Sequence, residues 1–129
     1  MNPSASTSPA ARPRGPDVPI EVVALDAPAR RASAYAAGKM RRVLEKEHRP
    51  VLRARVTLAV APDPAVPRPS RVHATVDVDG RVVQARAAAS TLPEAIDAAT
   101  TRLRAQLVRL DQRRRRRRRA RPRRAPGPD

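Results

Sequence analysis

Arg71-Val72-His73-Ala74-Thr75-Val76-Asp77-Val78-Asp79-Gly80-Arg81-Val82-Val83-Gln84-Ala85-Arg86-Ala87 decides the fold. Val72, Ala74, Val76 and Val78 alternate with polar residues, the period of a strand with one buried face. Asp79-Gly80 is a favoured two-residue turn, because a type I′ turn needs positive φ at both positions. With that turn Val78 pairs with Arg81, Val76 with Val83, Ala74 with Ala85 and Val72 with Ala87. Both strands then place small apolar residues on one face, so the register is self-consistent. The other face carries Val82, Gln84 and Arg86.

Downstream, Thr91-Leu92-Pro93-Glu94 has capping-box spacing, with Thr91 as N-cap and Glu94 reaching back to it. Leu92, Ile96, Ala99, Leu103, Leu107 and Leu110 follow as one apolar stripe at helical spacing. Arg102, Arg109, Arg113 and Arg116 fall along one flank of this helix and Arg104 on the opposite flank. No stop signal separates it from the unbroken arginine run 113–119.

Upstream, Ile20 to Leu25 reads as a short strand. Asp26 is placed to cap a helix with Pro28 in its first turn, and the helical period runs from Ala29 to about His48. Its apolar side is Ala32, Ala36, Ala37, Met40, Val43 and Leu44; Arg31, Tyr35, Lys39, Arg42 and Lys46 share a flank. Pro50 closes the helix, and Arg53 to Val60 alternates as a strand. Four prolines between Ala61 and Ser70 mark an extended loop joining two strands, since prolines cannot donate ladder hydrogen bonds. The order β-α-β-β-β-α predicts an α+β two-layer sandwich, a four-stranded sheet with two helices on one face.

Residues 1–18, rich in proline, serine and threonine, read as a disordered leader, 19–112 as one domain and 113–129 as an arginine-rich tail. The foldable part of the 129 residues is roughly 95 residues long, enough for one small core. Tyr35 is the sole aromatic residue, so that core is aliphatic. The formal net charge is +16; the tail contributes ten arginines against one aspartate, leaving +7 on the rest. Charge of this density points to nucleic acid or another anionic surface. Part of the arginine content is also what a GC-rich genome would encode.

The chain has no cysteine, hence neither disulfides nor thiolate metal sites, and no stretch with the apolar length of a membrane span or a signal peptide. A cytoplasmic location is expected. His48 and His73 stand isolated from other metal-ligating residues. The four glycines make no phosphate-cradling loop, and no nucleophile with base or paired carboxylates emerges. The expectation is therefore no enzyme, no cofactor, no metal and no small-molecule substrate.

The hairpin, the small-residue strand after it, then Ala95-Ile96-Asp97 and Arg102-Leu103-Arg104-Ala105-Gln106-Leu107 resemble the ribosome hibernation-promoting factor family, also called ribosome-associated inhibitor, protein Y or sigma-54 modulation protein. The resemblance spans about Ile20 to Arg117 and is closest in the hairpin and last helix. It implies a β-α-β-β-β-α fold that binds the small ribosomal subunit near the decoding centre. There its basic helices meet 16S rRNA and block messenger and transfer RNA under stress or in stationary phase. By motif position, Lys39, Arg42, Arg102, Arg109 and Arg113 correspond to basic residues of that family. The family's Asp-Met-Tyr is here Thr91-Leu92-Pro93, and Ala105 and Asp111 stand where basic residues are common. The second, dimerising domain of long members is lacking, and a monomer is expected when free.

The candidate rRNA-binding set is Arg31, Lys39, Arg42, Lys46, Arg102, Arg109, Arg113 and Arg116. Arginine suits phosphate because its planar fork donates two hydrogen bonds. Without a row of aromatics to stack bases, recognition by shape and phosphate is expected rather than sequence readout. The tail reads as an electrostatic appendage whose like charges repel, with order expected only in its first turn. The alternative function is a general RNA- or DNA-binding protein of nucleoid type that acts through this tail. Tyr35 reads as a core cover at the helix edge in preference to a base-stacking residue.

Overall fold

The computed structural model describes residues 19–120; the leader 1–18 and tail residues 121–129 lie outside it. The elements are β1 (Ile20–Ala24), α1 (Ala27–Arg31), α2 (Ser33–Glu45), β2 (Val51–Val60), β3 (Ser70–Val78), β4 (Arg81–Ala89) and α3 (Leu92–Ala120). The sheet order is β1-β2-β3-β4, with β1 parallel to β2 and the remaining pairs antiparallel. All three helices pack against it, giving the two-layer α+β sandwich.

The hairpin has the register its alternation dictates. Val78 pairs with Arg81, Val76 with Val83, Ala74 with Ala85 and Val72 with Ala87. Asp79 and Gly80 both have positive φ, 53° and 91°. The inner face of Val56, Leu58, Val72, Ala74, Val76, Val78, Val83, Ala85 and Ala87 meets Met40 and Leu44 of α2 and Ile96, Leu103, Leu107 and Leu110 of α3. Removing each of these larger side chains from water contributes about 1.5–3 kcal/mol.

Five local expectations are corrected. The first helix is two segments: the N–H of Ala32 turns back to the carbonyls of Ala29 and Arg30, and a new helix starts at Ser33. Asp26 anchors the first segment: one carboxylate oxygen accepts the Ala29 N–H and the other the Val60 N–H, both at 2.8 Å. That grip fixes α1 against the end of β2, and the turn at Ala32 lets α2 lie along the sheet. The second helical segment also stops at Glu45, short of His48.

The capping box is half made. Thr91 Oγ1 accepts the Glu94 N–H at 3.3 Å, but the Glu94 carboxylate takes the Ser90 hydroxyl at 2.9 Å instead of reaching back to Thr91. In β2 a bulge beside Val51 leaves Leu52 exposed, and Leu25 falls outside β1. Lastly, α3 continues past the first arginine turn to Ala120. Among the described residues no helix is long and apolar enough to cross a membrane.

Candidate nucleic-acid interface

The stripe of α3 turns one side of that helix to the sheet, so its two flanks look in different directions. One flank lies over the free edge of β4. Arg102 Nη1 donates to the carbonyl of Arg86, and Gln106 Nε2 donates to that of Gln84 at 3.1 Å. Arg102 and Gln106 are one helical turn apart and the two carbonyls are two strand residues apart, so both outward acceptors are met at once. Together with Arg109 they border a groove floored by Ala85. The remaining N–H groups of Arg102 stay available, with the guanidinium already oriented.

This contact closes a strand edge that would otherwise pair with another chain. An Arg102→Ala/Gln106→Ala variant is expected to stay folded yet self-associate at high concentration, by sedimentation velocity. A strictly monomeric variant would show that the cap is dispensable.

The other flank faces α2. Arg104, Val108 and Arg115 share a cleft of about 340 Å³ with Val43 and Lys46. At the upper end of this joint, Asp97 Oδ1 accepts the Tyr35 hydroxyl at 2.6 Å and lies 3.2 Å from Lys39 Nζ. The Tyr35 hydrogen bond, then Lys39, hold the Asp97 carboxyl below its ordinary range, and the same bond pushes the Tyr35 phenol up. Tyr35 is therefore an interhelical tie that remains 42% exposed, rather than a core cover. Lys39 is partly neutralised by the same carboxylate.

The lower end holds a network that charge patterning did not reveal. Glu47 grips the Arg49 guanidinium through two bonds of 2.6 and 2.9 Å and also accepts the Arg49 N–H at 3.0 Å. Arg49 Nη2 donates to the Leu107 carbonyl at 3.1 Å, and Nη1 is buried without a partner among the described residues. Burial pushes the Glu47 carboxyl up, but the hydrogen bonds from Arg49 outweigh it, and the group lies below its usual value. The bond to Glu47 raises the Arg49 guanidinium. Beside this pair the Asp79 N–H donates to the Pro50 carbonyl at 2.8 Å, and its carboxylate takes Arg114 at 2.9 Å. Asp111 pairs with Arg115 at 3.1 Å and lies 3.8 Å from His48. The hairpin turn thus holds the start of the arginine run.

The candidate set divides accordingly. Arg31, Arg42, Lys46, Arg109, Arg113 and Arg116 are exposed and make no side-chain hydrogen bond or ion pair among the described residues. Lys39 and Arg102 hold structural contacts. The helical period groups Arg102, Arg109, Arg113 and Arg116 on one flank with Arg104 opposite, and in the structure Arg102 and Arg109 lie over β4 while Arg104 and Arg115 come next to Lys46. Arg104 and Arg115, in the cleft beside Lys46, are basic residues that the candidate set leaves out. The signal for them was the opposite-flank position of Arg104, four residues from Val108. Among the described residues no group of three or more His, Asp or Glu could hold a metal ion.

Residues 28–115 match the family described as Sigma 54 modulation protein / S30EA ribosomal protein. No curated protein matches the sequence. In fold the chain is similar to a ribosomal subunit interface protein from Coxiella burnetii, with TM-score 0.56 and 17% identity over 72% of this chain and 97% of that one. It is also similar to the N-terminal domain of Thermus thermophilus protein Y, with TM-score 0.53 and 22% identity over 70% of this chain and 94% of that one.

Proposed function

We propose that this chain, which belongs to the Sigma 54 modulation protein / S30EA ribosomal protein family, is a hibernation-type translation inhibitor. It binds 16S rRNA at the decoding region of the small ribosomal subunit, in the cytoplasm and as a monomer, and blocks messenger and transfer RNA there. The observation that carries the reading is the helical layer. Arg42 of α2, Lys46 at its C-terminal cap and Arg109 of α3 are exposed on elements whose other sides are fixed in the core, and Arg113 and Arg116 follow on the continuation of α3. A rigid array of unpaired cations suits phosphates arranged in a fixed shape, and its binding should fall steeply with salt.

A second reading is favoured by one observation, the continuation of α3 through the arginine run to Ala120. In it the protein is a general nucleic-acid binder acting through that extension. Sucrose-gradient sedimentation of the tagged full chain from stationary-phase cells, beside a form ending at Asp111, separates the two. The leading reading expects both proteins in the small-subunit and intact-ribosome fractions at moderate salt, the shorter one more salt-sensitive. Loss of all binding on truncation supports the second reading, and absence of the full chain from those fractions sinks the first.

A further inference from the structure

The helices cover one face of the sheet; the other face is open along its length. Its charged residues are Arg53 and Arg55 of β2, Arg71 of β3 and Arg86 of β4, against Glu21 of β1 and Asp77 of β3. Glu21 lies 3.5 Å from Arg55, and the Asp77 carboxylate accepts the Gly80 N–H at 2.9 Å. Arg53, Arg71 and Arg86 are exposed and without an ion-pair partner among the described residues. An open antiparallel face usually mixes both signs. Here the surplus is positive and consists entirely of arginine.

Register brings these groups together. His73 pairs with Arg86, and Arg71 pairs with Ala88, so Arg71 and Arg86 are diagonal neighbours across β3 and β4, roughly 7 to 8 Å apart. Between them lies a shallow trough of about 500 Å³ with Thr57, Ala59 and Ala88 in its lining. The small side chains let a flat group come close to the sheet. His73 is the ring on this face, and Nε2 is held 2.8 Å from Gln84 Oε1. The trough has no large apolar or aromatic anchor of the kind that carries protein–protein affinity. Phosphate needs only the arginines.

We propose that this open sheet face is a second RNA-binding surface, with Arg71 and Arg86 on the phosphates of one strand and a ribose or base over the Ala59 and Ala88 floor. The domain is then held between two RNA segments, one on the helices and one on the sheet. Only the identity of the RNA rests on the ribosomal reading above.

The cysteine-free chain allows single tethered probes. Val82→Cys, 61% exposed on the same sheet face but outside the trough, and Val108→Cys on α3, each carrying an iron chelate, are bound to small ribosomal subunits and made to generate hydroxyl radicals. Both probes are expected to cut rRNA, at different nucleotides. Cutting from the Val108 position with none from the Val82 position overturns the sheet surface and leaves the ribosomal reading intact. Where neither probe cuts and the chain does not sediment with subunits, the ribosomal reading has failed, and a single-stranded RNA oligonucleotide decides the sheet surface alone. There Arg71→Gln/Arg86→Gln is expected to flatten the slope of log K against log salt by about 1.4. An unchanged slope, or tight binding of free nucleotide without any effect on the oligonucleotide, overturns the proposal.

Discussion

Glutamate at Arg42, Lys46, Arg109 and Arg113 together is expected to remove the protein from the small-subunit fraction at moderate salt, with at least a hundredfold loss of affinity. These four are exposed and make no intramolecular ion pair among the described residues, so each reversal should cost about 0.5 kcal/mol or less and the variant should remain folded. If each contacts one phosphate, the slope of log K against log salt becomes shallower by about 3. Retained sedimentation with an unchanged slope would remove the helical layer from the interface. Reversals at Lys39 or Arg102 are poorer probes: the first breaks the tie to Asp97 and the second uncovers the Arg86 carbonyl. Loss of binding in those variants would mix two causes.

Glu47→Ala is expected to be the most damaging single substitution among the polar residues. It leaves Arg49, with a side chain 8% exposed, inside the protein without its carboxylate. Removing one member of a buried pair costs about 3 kcal/mol, a large share of the stability of a small aliphatic domain. Thermal denaturation should show a fall of more than ~10 °C. Replacing both residues by apolar ones of similar size should cost much less, because no charge is stranded. The pair also sets an acid limit. The Glu47 carboxyl lies below its ordinary value when folded, so its contribution is complete above the unfolded pKa of about 4.3. It is lost as pH falls through the lower folded value. Glu47→Gln should therefore lower stability at neutral pH and flatten its decline on acidification. A variant curve parallel to that of the full-charge protein would contradict the role given to the pair.

The hairpin was legible because two independent signals coincide there: the strict alternation around Val76 and the need for positive φ at Asp79-Gly80. The α3 stripe was legible for the same reason, since Ile96, Leu103, Leu107 and Leu110 repeat at helical spacing and all are buried. The break at Ala32 was not, because neither glycine nor proline marks it. The segment before it is tied to the sheet by Asp26 reaching across to Val60, a contact 34 residues away that local sequence does not show. The Glu47–Arg49 pair sits two residues apart in a connecting segment, where charge normally signals solvent. A helical wheel assigns each arginine an angle on its own helix but does not say what lies at that angle. Arg102 therefore read like Arg109, although the first meets a strand carbonyl. Arg104 seemed to stand apart, although it shares the cleft with Lys46.

The pairing of Arg102 and Gln106 with the margin of β4 links adhesion to occupancy. One guanidinium serves a strand carbonyl and also stands beside the basic groove, so a phosphate that draws it outward loosens the cover over β4. Among the described residues nothing else competes for that guanidinium. On the reading proposed above, the chain is least sticky toward its own copies when it is free. Any exposure of the margin is confined to molecules already surrounded by a partner.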